Sequence, residues 1–461
     1  MKATGIALTC ALLLGGCAAL DGAGENGTAT LPVPAAVGGQ AVAGAVALTP
    51  GTALAWRDMI ADPALRSAVE LALAHNRDLR VAALNIEATR AQYGIRSAAI
   101  GPTVNAAATA TAGTTEAATA SLGISSWEID LWGRLASLKG AALSTFLASE
   151  QTRDSVQASL VVSVAQAWLT LNADQQKRQL ADQTLQSRQR SLALVERQRS
   201  LGVASALTLA TAQAAVETAR GDLAELQAQV GQDRNALRLL VGAELPVGSL
   251  PGEASSDTAA QATSSAVRLL DVPANLSSTA LLQRPDLRAA ELALEAGRAN
   301  VAAARAARFP TISLTTAVGR SSTDVGSLFS AGNGVWSFMP SISLPIFDGG
   351  ASRLAEDAAR VQQQVLLAQY DKAIQTAFQE TADALVVRES LATRLQAQQG
   401  LQTAYAETLR LTLARQQAGV ESATAVLDAQ RLLYTAQSGL IGLRLTEQLN
   451  RLSLFKVLGG R

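Results

Sequence analysis

The sequence predicts a mainly α-helical protein with a small membrane β part, built from two tandem structural repeats. Three observations lead to this fold class. The second half of the 461-residue chain repeats segments of the first half in the same order. Each half also contains a very long stretch without proline, and two short segments in which apolar and small polar residues alternate. Each half is therefore expected to form a helix, a β-hairpin and a very long helical hairpin, which gives four β-strands per chain.

The two halves match at a nearly constant spacing. The matched segments are 76–80 and 284–288, Pro102 and Pro310, 201–205 and 418–422, and 240–242 and 457–459. The first two pairs lie 208 positions apart, and the last two lie 217 positions apart. A unit of this length is a whole architecture and not a short solenoid module.

The amino terminus is predicted to be a secretory signal peptide, residues 1–16. Lys2 precedes an apolar stretch that ends in Leu14-Gly15-Gly16-Cys17. This pattern resembles a bacterial lipoprotein signal, in which the Cys becomes the lipidated amino terminus, and Ala18 in place of Asp implies sorting to the outer membrane. Cys17 is therefore the predicted lipidation site; the alternative is an ordinary signal peptide with an incidental cysteine. Cys10 would leave with the signal, so no internal disulfide is expected.

The composition favours long helices and argues against nucleic acid as a partner. Basic and acidic residues balance at 38 each, and aromatic residues make up 3% of a chain that is 48% hydrophobic. The apolar content is thus mostly Ala, Leu and Val, which suits closely packed helices. Beyond the signal, no uninterrupted apolar run reaches about 18 residues, so no transmembrane helix is expected. If the chain crosses a membrane, strands must do so.

The first repeat is predicted to span residues 61–242, after a lipidated and flexible linker at 17–60. It begins with a helix over 65–100 that ends at Gly101-Pro102. A β-hairpin follows at 102–130, where Ala and Val alternate with Thr and Asn. A long helical hairpin completes the repeat.

The second repeat is predicted to span residues 276–461, after an equatorial linker at 243–275 that is rich in Gly, Pro, Ser and Ala. Its β-hairpin, at 309–347, alternates more clearly, with Ile and Leu against Thr and Ser. In both repeats the long helices would reach about 100 Å at about 1.5 Å per residue, which is too long for a globular domain.

The two hairpins have the length and the two-faced pattern of strands that cross a bilayer. Aromatic residues lie near strand ends, where a membrane interface would be: Trp127, Trp132, Trp336, Phe338 and Phe347. For one hairpin alone, a soluble hairpin packed on the helices is the alternative. Four strands cannot close a membrane barrel, so several chains must share one. Together with the lipid anchor and the long helices, this predicts a duct from the outer membrane across the periplasm.

Six segments together resemble the signature sequences of the outer-membrane factors, the TolC-like proteins, and in particular the OprM-type lipoproteins of drug-efflux pumps. They are 127–134 (WEIDLWGR), 284–286 (RPD), 309–310 (FP), 345–350 (PIFDGG), 426–431 (VLDAQR) and 458–460 (LGG). The resemblance implies a homotrimer with a twelve-stranded barrel and a helical periplasmic tunnel. It also implies docking to a periplasmic membrane-fusion adaptor and an inner-membrane resistance-nodulation-division pump, and passive efflux without a cofactor.

The same resemblance assigns the helix-to-helix turns to the periplasmic tips where adaptor hairpins dock. The residues concerned are Leu201, Gly202, Val203, Ser205, Gly419, Val420 and Ser422. A glycine turn lets another helical hairpin approach closely. A glycine that merely ends a helix would explain each turn about as well.

The resemblance also implies a periplasmic gate. Asp428 and Arg431 match charged residues that hold the family's tunnel closed between protomers, and Thr424 and Ala423 stand where related proteins often carry an apolar and an aromatic residue. The alternative is an exposed i,i+3 ion pair worth about 0.3 kcal/mol.

Two other classes of protein are alternatives to a channel. An enzyme is disfavoured, because the only histidine is His75 and no Cys/His cluster, phosphate loop or nucleophile motif is found. A periplasmic lipoprotein scaffold of coiled-coil rods would keep the anchor and the rods, but it has no use for two amphipathic hairpins. The sequence identifies neither the cargo nor the particular pump.

Overall fold

A computed structural model describes residues 55–113, 116–245 and 281–460, together with Leu250, Leu269 and two short strands. Cys17, the predicted signal peptide and most of the two predicted linkers lie outside the described residues. In chain order, the elements are β1 (Ala36–Val37), α1 (Trp56–Met59), α2 (Pro63–His75), α3 (Arg77–Ala98), β2 (Val104–Thr111), β3 (Ala117–Ile129), α4 (Arg134–Ser200), α5 (Ala206–Val241), β4 (Leu276–Ser277), α6 (Pro285–Ala306), β5 (Thr311–Ser322), β6 (Gly334–Ser343), α7 (Ala351–Gln417) and α8 (Ala423–Val457).

Helices α4 and α7 have 67 residues each, so each is about 100 Å long. Each follows a glycine in the left-handed conformation, Gly133 (φ 74°) and Gly350 (φ 88°), which lets the chain turn sharply from strand to helix. Near the sheet the helices lie in the order α3–α4–α6–α7, and toward the tips in the order α5–α4–α8–α7. Both long helices therefore extend through the whole layer of helices, which we call the wall. The shorter helices α3 and α6 lie beside the part near the sheet, and α5 and α8 lie beside the part near the tips.

The helix predicted over 65–100 is divided into α2 and α3 at Asn76. This residue is extended (ψ 131°), and its side chain caps α3 by accepting a hydrogen bond from the Leu79 amide at 2.9 Å. Its side-chain nitrogen also donates to the Leu240 carbonyl at 2.8 Å, which ties the break to the end of α5. Because asparagine can lie within a helix as well as cap one, the sequence pattern did not reveal the break.

The two hairpins form one antiparallel sheet in the order β2-β3-β5-β6. Residues directly opposite each other point to the same face, and the register collects the apolar side chains on one face. That face carries Val104, Leu122, Ile124, Trp127, Ile312, Leu314, Val318, Trp336, Phe338 and Ile342. The other face is mostly small and polar, and hydroxyl pairs cross it at Thr109–Thr119 (2.6 Å) and Ser313–Ser341 (2.7 Å).

A β-bulge at Ser125 and Ser126 keeps β3 in this pattern. Ile124 and Trp127 are an odd number of residues apart, so in a regular strand they would point to opposite faces. The pairing with β5 shifts by one residue between them, and Ser126 adopts a φ of 50°. The bulge therefore returns Trp127 to the apolar face.

The seam between β3 and β5 joins the two repeats, and two glycines make it possible. A Cβ atom on Gly123 would lie 2.2 Å from the Thr316 carbonyl oxygen, and one on Gly319 would lie 2.3 Å from the Ala120 carbonyl oxygen. Side-chain atoms do not approach backbone this closely, so either replacement requires the strands to separate.

We expect Gly123→Ala to prevent folding of the sheet. The added methyl meets backbone that cannot rotate away, so the cost is expected to reach or exceed the roughly 1–3 kcal/mol of ordinary overpacking. The measurement is the heat-modifiable band of the folded protein on SDS gels. Gly334→Ala in β6 is the matched control, because a Cβ there meets nothing within 4 Å. Equal folding of the two variants would contradict a tight seam.

The largest apolar core lies midway along α4 and also includes residues of α1, α2, α5 and α8. It includes Trp168 and Leu171 of α4, Leu237 of α5 and Phe455 of α8. One 18-residue window of α4 is long and apolar enough to cross a membrane, although polar residues interrupt its apolar run. Since 56% of that window is buried inside the protein, the composition of α4 is that of a core helix.

Candidate functional site

The apolar face of the sheet is a surface that the described chain leaves open. Val318, Trp336, Phe338 and Ile342 on this face are all more than half exposed. Just beyond β6, Ile346 is 96% exposed. A continuous apolar surface on strands of this length fits contact with lipid better than contact with water.

Two tryptophans fix the strands to the helices at the base of the sheet. The Trp132 indole stacks on Phe309 at a centroid distance of 5.0 Å, and its Nε1 donates to the Pro310 carbonyl at 2.8 Å. The Trp127 Nε1 donates to the Ile100 carbonyl at 2.9 Å. Both indole N–H groups are therefore satisfied, and the WEIDLWGR and FP segments act together at the junction between the repeats.

The predicted tips are two helix-to-helix turns of the same construction. Gly202 (φ 77°) and Gly419 (φ 74°) adopt the left-handed conformation. Ser205 caps α5 by accepting from the Thr208 amide at 3.0 Å, and Ser422 caps α8 by accepting from the Ala425 amide at 3.2 Å. The exposed apolar residues at these turns are Leu201, Val203 and Val420. The serines thus stabilise the helix ends, while the apolar side chains are largely exposed.

The predicted gate residues lie in the first turns of α8. Asp428 and Arg431 form an ion pair at 3.5 Å, but their side chains are 69% and 63% exposed. The Thr424 hydroxyl forms a hydrogen bond with the nearby Ser422 hydroxyl, at 2.9 Å. By contrast, Gln430 points into the wall and donates to Ser187 on α4 at 3.2 Å. Within one chain, the charged pair therefore faces away from the wall.

A buried carboxylate between α6 and α7 was not found from the sequence. Glu356 is 4% exposed and accepts hydrogen bonds from Arg308 at 2.8 Å, Arg305 at 3.3 Å and Arg360 at 2.6 Å. Hydrogen bonding from Arg308, with support from the other two arginines, holds the pKa of Glu356 below its usual value against the opposing effect of burial. The i,i+4 spacing to Arg360 is visible in the sequence, but Arg305 at the end of α6 and Arg308 just after that helix are distant from Glu356 in sequence.

A second network joins α6 to α7 at the level of the core. The Arg284 side chain is buried and donates to Asp286 at 2.7 Å and to Glu380 at 2.9 Å. Burial alone would raise the pKa of Asp286, but hydrogen bonding and charge from Arg284 outweigh it and lower that pKa. The RPD segment therefore links α6 to α7 through ion pairs. In the described part of the chain, no three His, Cys, Asp or Glu side chains are grouped to hold a metal ion.

The family model described as "Outer membrane efflux protein" matches residues 68–243 and 276–460, one match in each half of the chain. The chain belongs to this family. The toluene efflux pump outer membrane protein TtgC of Pseudomonas putida is 43% identical over 418 residues, which cover 88% of this chain and 84% of that protein. The cation efflux system protein CusC of Escherichia coli strain K12 is 38% identical over 412 residues, which cover 88% of each chain.

Solved structures of outer-membrane efflux proteins share the fold. A crystal structure of CusC is 35% identical, with a TM-score of 0.81, over 92% of this chain and 100% of that one. The open state of the Neisseria gonorrhoeae MtrE outer membrane channel is 35% identical, with a TM-score of 0.80, over 92% of this chain and 95% of that one. The comparisons confirm the predicted family, the mainly helical fold with tandem repeats and a small β part, and the function of an outer-membrane channel for efflux.

Proposed function

We propose that this outer-membrane efflux protein forms a lipid-anchored homotrimer that passively conducts small molecules from a periplasmic pump complex across the outer membrane. The main support is a sheet with one apolar face that continues into two helices of 67 residues. Its edges, β2 and β6, have no further strand beside them in the described part of the chain. Open edges cannot persist in hydrocarbon, so further copies must close the sheet. Three copies give the twelve strands that the family resemblance implies, and the helices then form the periplasmic tunnel.

In this proposal the tips dock a periplasmic membrane-fusion adaptor, which connects the channel to an inner-membrane resistance-nodulation-division pump. The relatives TtgC and CusC are named as parts of an efflux pump and an efflux system, which supports such partners. Exposed Leu201, Val203 and Val420 beside the glycine turns offer an adaptor hairpin apolar contacts. Because the relatives are named for toluene and for cations, we assign cargo selection to the pump and neither catalysis nor a cofactor to this chain.

Conductance tests this proposal against a non-conducting scaffold. The protein purified in detergent is expected to migrate as a heat-modifiable trimer and to give discrete conductance steps in planar lipid bilayers. Deletion of the gene is expected to abolish efflux through its pump without changing the amount of the pump. A monomer that gives no conductance would favour the periplasmic lipoprotein scaffold of coiled-coil rods.

The proposal keeps the domain organisation that the sequence predicts. A signal peptide at 1–16 precedes the lipidated linker at 17–60. The two repeats at 61–242 and 276–461 flank the equatorial linker at 243–275. The family matches at 68–243 and 276–460 fall close to the proposed repeats.

Lipid attachment gives a direct prediction. Cys17→Ser is expected to lose all incorporation of radioactive palmitate, because no other cysteine remains after cleavage of the signal. The strands are expected to keep the variant in the outer membrane, since a single anchor contributes less than a membrane-spanning sheet. Cys10→Ser is the matched control and is expected to be labelled normally. Persistent labelling of Cys17→Ser would show that the cysteine is incidental.

A further inference from the structure

The two edges of the four-stranded sheet, β2 and β6, are each paired on one side only among the residues that the structure describes. Val104 on β2 and Ile342 on β6 are more than half exposed, and Ile346 beyond β6 is almost wholly exposed. A second copy offers a partner of matching geometry, because β6 and β2 are the repeat equivalents of β3 and β5, which already pair within the chain.

The internal repeat identifies which residues of the first hairpin correspond to which residues of the second. β2 corresponds to β5, since each follows an equivalent proline, 208 positions apart. Within the hairpins, Val104 lies opposite Ile124 as Ile312 lies opposite Ile342. Ile342 is therefore the equivalent of Ile124, 218 positions further along the chain.

The seam between β3 and β5 then predicts the seam between copies. In the chain, Ile124 lies opposite Thr316, and the equivalent of Thr316 on β2 is Ala108. The geometry points to an antiparallel pairing of β6 of one copy with β2 of the next, in which Ile342 lies opposite Ala108. This inference rests on the proposed oligomeric channel and adds the register of its subunit interface.

The part of the seam beyond the bulge gives the same register independently. The left-handed glycines before α4 and α7 lie 217 positions apart, one fewer than 218, because β3 contains the extra residue of the bulge. By this spacing Ile346 is the equivalent of Ile129, which lies opposite Ile312. Val104 is the equivalent of Ile312, so Ile346 lies opposite Val104. Ile346 lies four residues after Ile342, and Val104 lies four residues before Ala108. The two pairs therefore belong to the same antiparallel register.

Side-chain chemistry agrees with this register on both faces. Ile342 and Ala108 belong to the apolar face. On the polar face, the register sets Ser341 opposite Thr109. Each of these hydroxyls already pairs with a hydroxyl on the neighbouring strand of its own chain, Ser313 and Thr119 respectively. The subunit interface thereby joins two hydroxyl pairs into one row across four strands.

Disulfide formation between copies tests the register in the full-length protein in its membrane. Opposite Cβ atoms in an antiparallel pair lie about 4.5–5.5 Å apart, close enough for a disulfide after small shifts. The double variant Ala108→Cys with Ile342→Cys is expected to give a covalent trimer as the main oxidised product on non-reducing SDS gels. Neither single variant is expected to give a covalent trimer. The single variants also control for crosslinks through the native cysteines.

The matched control is Ala106→Cys with Ile342→Cys, which keeps the same face but shifts the register by two residues. Preferential crosslinking of the control pair, with the uncrosslinked trimer intact, would overturn the register and leave the proposed function standing. Absence of any oligomer of the unmodified protein by native mass spectrometry would overturn both. The second double variant, Val104→Cys with Ile346→Cys, tests the same register away from the centre of the sheet. It is also expected to crosslink, and failure to crosslink in an intact trimer would count against the register.

Discussion

Cells that carry Asp428→Ala are expected to become sensitive to vancomycin, an antibiotic too large to enter readily through an intact outer membrane. Within one chain, the Asp428–Arg431 pair is exposed and contributes little to stability. Its loss is therefore expected to leave folding unchanged. In a trimer each residue is repeated three times around the axis, and pairing between copies would hold the tips of α8 together. Removing the carboxylate removes that link, so the tunnel is expected to open.

A matched ion pair separates the gate from a general surface effect. Glu217 and Arg220 on α5 form an i,i+3 pair at 2.7 Å with side chains that are also largely exposed. Glu217→Ala is expected to leave vancomycin sensitivity unchanged, and Asp428→Glu is expected to restore most of the barrier. The gate would be refuted by normal vancomycin resistance in cells that express Asp428→Ala at wild-type levels and retain efflux.

The repeat and the long helices could be predicted because their signals, matched segments and long stretches without proline, extend over many residues of the sequence. Alternation in the two hairpins predicted the strands for the same reason. The bulge could not be predicted, since the odd spacing of Ile124 and Trp127 indicates a break in a strand as readily as an extra residue. The division at Asn76 depends on the carbonyl of Leu240, which lies far away in sequence.

Parts of the candidate site could be predicted only where short sequence motifs contain the residues concerned. The WEIDLWGR and FP segments are visible in the sequence as motifs, and the stacking of Trp132 on Phe309 gives them a structural reason. The tip serines stay a prediction for adaptor docking, and the structure adds that Ser205 and Ser422 cap helices, which the sequence pattern alone did not assign to them. The network around Glu356 needs Arg305 at the end of α6, Arg308 just after it and Arg360 on α7. Hydrophobic patterns carry no information about such contacts.

Glu356→Gln is expected to lower the stability of the folded subunit by about 1–3 kcal/mol at neutral pH. The substitution keeps the size of the side chain but replaces a charged acceptor of three arginine hydrogen bonds by a neutral amide in a buried position. The three arginines are about half exposed, so water can solvate them and limits the cost. The measurement is the apparent Tm of the protein in detergent.

The pH dependence of this difference identifies its cause. Because the folded protein holds the pKa of Glu356 below its usual value, the carboxylate stabilises the fold at pH values above the unfolded pKa, and this contribution is lost as the pH falls through the folded pKa. The Tm difference between wild type and Glu356→Gln is therefore expected to be full at neutral pH and to shrink in acid. Glu407→Gln is the control on the same helix, since Glu407 pairs with Arg410 in an exposed position and is expected to change the Tm little. A Tm difference for Glu356→Gln that stays constant into acid would mean that packing, and not the charge, makes this site stable.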